Sequence, residues 1–159
     1  MQIKIDNLSH PKVVNLLQQH LDDMYATSPP ESVHALDLEK LRQPEITFWT
    51  AWQQQDLLGC GALKTLSVKH AEIKSMRTAR EHLRKGVAAQ MLRYIILQAQ
   101  ARGFERISLE TGSQDFFQPA IALYQSYNFK FCEPFADYDD DPNSRFMTLV
   151  LESSTDPED

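Results

Sequence analysis

Apolar and polar residues follow two different periods along this chain. Seven short stretches either alternate between apolar and polar positions or are continuously apolar, which is typical of strands. They span residues 2–6, 46–52, 57–66, 71–78, 106–110, 129–135 and 145–151. Between them, apolar residues recur every three or four positions, which predicts helices. The first of the four predicted helices follows Ser9, and the second spans residues 36–41. The third ends at Gly103, and the fourth spans residues 116–127.

Local signals mark the helix ends. Ser9 is predicted to cap the first helix, which has Pro11 in its first turn and ends before Ser28. Gly103 ends the third helix, in which one face collects the following apolar residues: Ala88, Met91, Leu92, Ile95, Ile96 and Ala99. Because this helix joins the fourth and fifth strands, we expect those two strands to be parallel.

The other connections define the rest of the sheet. Short links at 53–56 and 67–69 favour antiparallel hairpins. The sequence therefore predicts an α+β fold in which a mixed, mostly antiparallel sheet of about seven strands is flanked by about four helices.

Length and composition are those of a globular protein. The 159 residues suit one domain at 1–152, followed by a flexible acidic tail at 153–159. Hydrophobic residues make up 42% of the chain and charged residues 24%, which is ordinary. The chain has no apolar run long enough to span a membrane, and its N-terminus lacks the apolar core of a secretory signal. We therefore expect a cytoplasmic protein without a membrane partner.

Charge and cysteine usage exclude several functional classes. The net charge is −6, and no Lys/Arg cluster is longer than Arg84-Lys85, so a nucleic-acid partner is not expected. An acidic surface is compatible with a cationic acceptor and equally with plain solubility. Cys60 and Cys132 lie in predicted strands, which favours buried free thiols. No Cys/His pair has metal-ligand spacing, so no metal is expected.

Residues 71–92 carry the clearest chemical signal. A strand, a short loop and a helix follow one another there, and a helix start presents unpaired N–H groups with a partial positive charge. Gly86 allows the backbone to approach a phosphate closely, and Arg84 and Lys85 add formal charge. The loop lacks the spacing of a Walker A motif. It is predicted to bind an anion.

Two motifs identify a family resemblance. The run Leu83-Arg-Lys-Gly-Val-Ala88 resembles the acetyl-CoA-binding motif Q/R-x-x-G-x-G/A of the GNAT superfamily of N-acetyltransferases, with Leu83 in place of Gln or Arg. The run Ala120-Ile-Ala-Leu-Tyr124-Gln-Ser-Tyr-Asn-Phe129 resembles the family's A-x-x-L-Y-x-x-x-G-F. Asn128 replaces the usual Gly and tolerates a left-handed backbone. Phe117 occupies a position where many members carry Asn.

The resemblance extends over nearly the whole chain. It is closest to a branch of uncharacterised bacterial acetyltransferases of the small-molecule type, through residues 28–37, 108–113 and 141–144. It implies the GNAT fold, with a V-shaped splay between the fourth and fifth strands, and acetyl-CoA as cosubstrate. The residues implied to hold the cofactor through their backbone are Met76, Arg77, Thr78, Arg84, Lys85, Gly86, Val87, Ala88 and Ala89.

The family's reaction is direct attack of a primary amine on the thioester in a ternary complex, and the resemblance implies two catalytic residues. Tyr124 is the candidate acid that returns a proton to the thiolate, although it also suits a core aromatic. Glu72 is the candidate base, with a structural pair between Glu72 and Lys74 or a water chain as the alternatives. Strand alternation predicts Glu72, Lys74 and Met76 on one face.

The acceptor pocket is less defined. The resemblance implies a small-molecule amine acceptor near a set of polar residues on two loops and at the end of the fifth strand: Glu31, Ser32, His34, Glu110 and Asn143. Relatives commonly form dimers, so a homodimer is compatible with the sequence. A non-catalytic acyl-CoA-binding or regulatory module with the same fold is the alternative function. A cysteine hydrolase is disfavoured, because Cys60 lies within a strand and not at a helix start.

Overall fold

The computed structural model describes residues 1–30 and 38–152, and the predicted tail at 153–159 lies outside this part. Its centre is a seven-stranded sheet with the order β1-β2-β3-β4-β5-β7-β6. The strands are β1 (Gln2–Ile5), β2 (Ile46–Gln53), β3 (Asp56–Thr65), β4 (His70–Thr78), β5 (Arg106–Gly112), β6 (Lys130–Phe131) and β7 (Ser144–Val150). All seven occur where the period of the sequence predicts them.

Helices pack on both faces of the sheet. They are α1 (Pro11–Thr27), α2 (Leu38–Leu41), α3 (Val87–Ala101) and α4 (Gln118–Ser126), with 3-10 turns at Arg80–His82 and Asp115–Phe117. The predicted Ser9 cap is wrong by one residue. The ring of His10 accepts the hydrogen bond from the Lys12 amide at 3.1 Å, whereas Ser9 bonds to Asn7 in the preceding turn. None of the helices described is long and apolar enough to cross a membrane.

The pairing of β4 with β5 confirms the predicted parallel crossover. These strands pair only from His70 to Ile73, where Ile73 lies opposite Leu109. Beyond that point β4 remains paired with β3, and β5 remains paired with β7 as far as Gly112. The C-terminal halves of β4 and β5 therefore separate, and this opening is the predicted V-shaped splay.

Two apolar clusters define the layers. One lies between the sheet and α3 and α4, and includes Met91, Ile95 and Tyr124. The other lies between the opposite face and α1 and α2, and includes Val13 and Leu41. We call these the α3 face and the α1 face. The splay lies within the sheet that separates these two faces.

The C-terminal region departs from the predictions in two details and matches them in a third. β6 is much shorter than the predicted strand at 129–135, and Pro134, which has no N–H for a ladder, follows it closely. Cys132 lies just beyond the strand and is half-buried, whereas Cys60 is buried in β3 as predicted. Asn128 has a φ of 74°, which confirms the left-handed turn expected where the family carries Gly.

Candidate active site

The start of α3 presents a row of free backbone donors. Gly86 precedes the helix with a φ of 81°, and a Cβ there would meet nothing within 4 Å. Arg84 is also left-handed, with a φ of 64°. No acceptor in the described part of the chain takes the amides of residues 84–89. Six consecutive donors at a helix N-terminus are the geometry that the predicted anion cradle requires.

A β-bulge interrupts β4 at the splay. Ser75 and Met76 together oppose Gly61 of β3, and Ser75 has a φ of 56°. The Cys60 thiol donates to the Ser75 carbonyl at 3.2 Å, and burial raises the pKa of this thiol to about 12, so it stays protonated. A bulge leaves one residue without its regular ladder partner and redirects the side chains that follow.

The bulge changes which face each β4 side chain occupies. A Cβ on Gly61 would meet the Met76 sulfur and Ile95 of α3, so Met76 packs on the α3 face. Arg77 bonds to Asp23 of α1, which places its side chain on the α1 face. The predicted alternation, with Met76 on the same face as Glu72 and Lys74, is therefore wrong beyond Lys74.

Glu72 is buried at the point where the strands separate. Its side chain is 3% exposed and that of Lys74 is 10% exposed, and the Lys74 Nζ lies 3.1 Å from Glu72 Oε2. The Tyr138 hydroxyl donates to the same oxygen at 2.6 Å and accepts from Lys74 Nζ at 2.8 Å. The ion pair considered as an alternative role for Glu72 is thus present. Oε1 of Glu72 has no hydrogen bond within the described residues.

Tyr138 is a site residue that sequence reasoning missed. It lies in the connection between β6 and β7, and its ring packs between Phe135 and Phe146. Burial, followed by the Glu72 carboxylate, raises the pKa of Tyr138 far above its usual value, so the hydroxyl remains a donor. The signal available was only an aromatic residue beside an acidic loop, because its partner Glu72 is 66 residues away.

Tyr124 lies on the other face of the sheet. It belongs to the cluster beneath α3 and α4, where its ring packs 5.6 Å from that of Phe129. Burial raises the pKa of Tyr124 to about 12, so its hydroxyl is protonated at neutral pH. The two candidate catalytic residues therefore lie on opposite faces of the sheet, Glu72 on the α1 face and Tyr124 on the α3 face.

The end of β5 brings two predicted acceptor residues together. Glu110 accepts a hydrogen bond from the Ser144 hydroxyl at 2.7 Å. Asn143 Oδ1 accepts from the Gln114 side chain at 3.0 Å, and the Gln114 side chain also contacts Ser28 at the end of α1. The other three predicted acceptor residues, Glu31, Ser32 and His34, lie outside the described residues.

Phe117, which departs from the family pattern, packs on the same strand end. A Cβ on Gly112 would lie 2.2 Å from a carbon of the Phe117 ring, so the ring rests directly on the backbone of β5. An aromatic ring thus fills a position where many family members carry a polar amide. Gly112 is required here for close approach and not for its backbone angles.

Polar side chains of α1 form a second feature that sequence reasoning missed. Asp23 bonds to Arg77 of β4 and, at 2.8 Å, to Arg80 in the following turn. Burial alone would raise the pKa of Asp23, but the hydrogen bonds and charges of the two arginines hold it below its usual value. Burial, and then Arg77, lower the pKa of His20 to about 4. His20 and Asp23 continue the apolar stripe of Val13, and polar residues on such a stripe were the available signal.

These features define the class of the protein. A parallel strand pair that splays beside a helix start with free amides is the arrangement implied by the resemblance to acyl-CoA-dependent acetyltransferases. The acetyltransferase (GNAT) family model matches residues 13–129, and the chain belongs to this family. It is therefore an N-acetyltransferase of the GNAT type.

Bacterial relatives cover almost the whole chain. "Uncharacterized N-acetyltransferase YsnE" of Bacillus subtilis is 62% identical over 95% of this chain and 100% of the relative. "Uncharacterized N-acetyltransferase YedL" of Escherichia coli is 53% identical over 94% of each chain. An "IAA acetyltransferase" of Azospirillum brasilense is 33% identical over 88% of this chain and 89% of the relative.

Solved structures share the fold. A Bacillus subtilis acetyltransferase in complex with CoA aligns with a TM-score of 0.71 at 18% identity, over 95% of this chain and 99% of that one. A GNAT family acetyltransferase from Elizabethkingia anophelis with acetyl-CoA bound aligns with a TM-score of 0.66 at 19% identity, over 94% and 97%. The predicted GNAT fold is confirmed.

Proposed function

We propose that this chain transfers an acetyl group from acetyl-CoA to the primary amine of a small molecule, by direct attack in a ternary complex. The observation that carries the proposal is the opening between β4 and β5 beyond Ile73 and Leu109, next to the free amides of residues 84–89. The opening provides room for an extended acyl chain, and the helix start provides donors for a diphosphate.

The cofactor contacts follow from this arrangement. The amides of residues 84–89 bind the pyrophosphate, and Arg84 and Lys85 add positive charge beside it. The backbone of Met76, Arg77 and Thr78 lines the open side of β4, where it contacts the pantetheine. The bulge supports a Met76 N–H that points at the thioester oxygen, because a donor aimed at developing negative charge stabilises the transition state.

The proton transfers use the two faces of the sheet. Glu72 accepts a proton from the acceptor amine, directly or through water, and the lack of a hydrogen bond to its Oε1 within the described residues supports this role. As the amine nitrogen bonds to the acetyl carbon, the bond from that carbon to sulfur breaks. Tyr124 then donates its hydroxyl proton to the departing thiolate, which its raised pKa keeps available.

The acceptor lies on the α1 face in this proposal. Glu110 and Asn143 sit at the end of β5, beside the loop that carries Tyr138, and a carboxylate there suits a cationic amine. Residues Glu31, Ser32 and His34 precede α2 in the chain and remain proposed acceptor contacts.

Thiol release tests the proposal. Purified protein is incubated with acetyl-CoA and a panel of amines, amino acids and peptides, with IAA included because one relative is named for it. We expect release with a small amine, and we expect Tyr124→Phe to reduce it more than tenfold while acetyl-CoA affinity by calorimetry is nearly unchanged. Acetyl-CoA binding without release across the panel would instead support a regulatory acyl-CoA module. Full turnover in Tyr124→Phe would remove Tyr124 from the mechanism.

A further inference from the structure

Within the described residues, one buried donor on the α1 face has no partner. The Arg77 side chain is 11% exposed, and its Nε finds no hydrogen-bond acceptor among the described residues. A buried, unsatisfied N–H destabilises the folded chain, and such atoms are rare in folded proteins. The missing acceptor is therefore a feature that a bound molecule would correct.

The charges around Arg77 favour a bound molecule that is negatively charged. Arg77 and Arg80 share one carboxylate, that of Asp23, and neither has a second one in the part of the chain described. The adjacent His20 is neutral above a pH of about 4, because burial and Arg77 lower its pKa. The only ammonium nearby on β4, that of Lys74, is paired with Glu72. Among the described residues, the cluster thus carries one positive charge that no carboxylate compensates.

The position of Arg77 connects this charge with the reaction. It follows the Ser75–Met76 bulge directly and lies beyond the last residue of β4 that pairs with β5. Its side chain is on the α1 face, the face of Glu72 and Tyr138. A molecule bound to Arg77 would therefore lie beside the open part of β4.

We propose that Arg77 binds the carboxylate of the acceptor, which is then an amino-acid-type molecule with its amine close to a carboxylate. The guanidinium Nε donates to a carboxylate oxygen, and the second oxygen is free to accept from the same fork. This proposal rests on the proposed amine acetylation, since it names the acceptor of that reaction. Arg77 is a specificity-determining residue in it.

Matched ligands separate the carboxylate from the rest of the acceptor. Protein saturated with CoA, which cannot donate an acetyl group, is titrated by calorimetry with four pairs of compounds. The pairs are L-leucine and isopentylamine, L-phenylalanine and phenethylamine, L-tryptophan and tryptamine, and L-lysine and cadaverine. We expect the amino acid of at least one pair to bind tenfold or more tightly than its amine.

Variants of the two arginines identify the binding group. Arg77→Gln should remove the preference for the amino acid, and Arg77→Lys should reduce it about tenfold, because lysine keeps the ion pair with Asp23 but lacks a fork. Arg80→Gln is the matched control, since it removes the other partner of Asp23 and should preserve the preference. Retained CoA affinity and a cooperative thermal unfolding transition show that each variant is folded, and a lower melting temperature is expected for Arg77→Gln because it breaks the ion pair with Asp23.

The outcomes distinguish this inference from the proposed function. Equal binding within every pair, no binding by any amino acid, or a preference that survives Arg77→Gln would overturn the carboxylate site. Binding of an amino acid through Arg77 without thiol release from acetyl-CoA would support the site and contradict the acetylation of that amine.

Discussion

At the scale of single residues, Glu72 combines a structural and a proposed catalytic role. It is buried with Lys74 and accepts the Tyr138 hydroxyl, so its removal leaves a cation without its counter-charge. Breaking a buried ion pair by removing one partner costs about 3–5 kcal/mol, whereas removing both charges costs much less. A stability change alone therefore cannot identify a base.

A pair of substitutions separates the two roles of Glu72. We expect Glu72→Gln to lower both the free energy of unfolding and the rate of thiol release, the latter more than tenfold. Adding Lys74→Met to Glu72→Gln removes the unpaired cation and should restore most of the stability but not the activity. Urea titration and thiol release measure the two quantities. Recovery of activity together with stability would assign Glu72 a purely structural role.

His20 predicts a pH dependence of stability. Its pKa is lowered to about 4 in the folded chain from 6.5, by burial and by Arg77. Below pH 6.5 the unfolded chain binds the proton first, so stability falls as the pH decreases towards 4 and is complete above 6.5. We expect His20→Gln to remove about 1–3 kcal/mol of this loss, the lower values reflecting partial solvent contact.

Urea titrations at pH 7 and pH 4.5 measure the effect of His20. The control is His82→Gln, which changes a histidine in the 3-10 turn, outside the contact between α1 and β4. His70 contributes with the same sign, because burial also lowers its pKa, and it is retained in both variants. The same pH dependence in His20→Gln as in the unmodified chain would show that His20 is not the buried neutral group.

At the scale of elements, the loop before α3 is the proposed binding site for the diphosphate of the cofactor. Gly86→Asp introduces a carboxylate among six free amides, where it competes with the diphosphate for the same donors and repels it. We expect acetyl-CoA binding to be lost by calorimetry while the domain stays folded by circular dichroism. The space around Gly86 is open, so the side chain itself fits.

The matched control for this loop is Gly86→Asn. It has nearly the same shape and the same left-handed strain but no charge, so most of the affinity should remain. Equal loss of affinity in both variants would mean that the backbone angle at Gly86 matters and the charge does not. Unchanged affinity in Gly86→Asp would contradict the phosphate cradle.

At the scale of the whole molecule, the splay is the place in the described chain where β4 and β5 stop pairing with each other. We expect CoA to slow hydrogen exchange at residues 74–78 and 84–89, because it supplies acceptors to the amides of β4 that face the splay and to the free amides before and within the first turn of α3. Exchange in β1 and β2, on the far side of the sheet, should change little beyond the general stabilisation by a bound ligand. Mass spectrometry of peptides from both regions measures the difference. Protection confined to other segments would place the cofactor elsewhere.

Much of this fold follows from local patterns in the sequence. The strand and helix order, the parallel pair and the helix start at Gly86 depend on periods and caps spanning a few residues. The errors are also local, since His10 and Ser9 compete for the same cap and Pro134 shortens β6. The residues of the proposed cradle could be predicted from the sequence for the same reason, because they are consecutive in the chain.

The tertiary structure alone decided how the candidate site is assembled. The bulge at Ser75 depends on its register against β3, and it moved Met76 to one face and Arg77 to the other. Tyr138 and Glu72, and likewise Asp23 and Arg77, are more than fifty residues apart in the chain, yet they are in contact. Sequence periodicity describes which face an element buries. Only the packed sheet determines which distant side chains share that face, because this depends on strand register and helix placement.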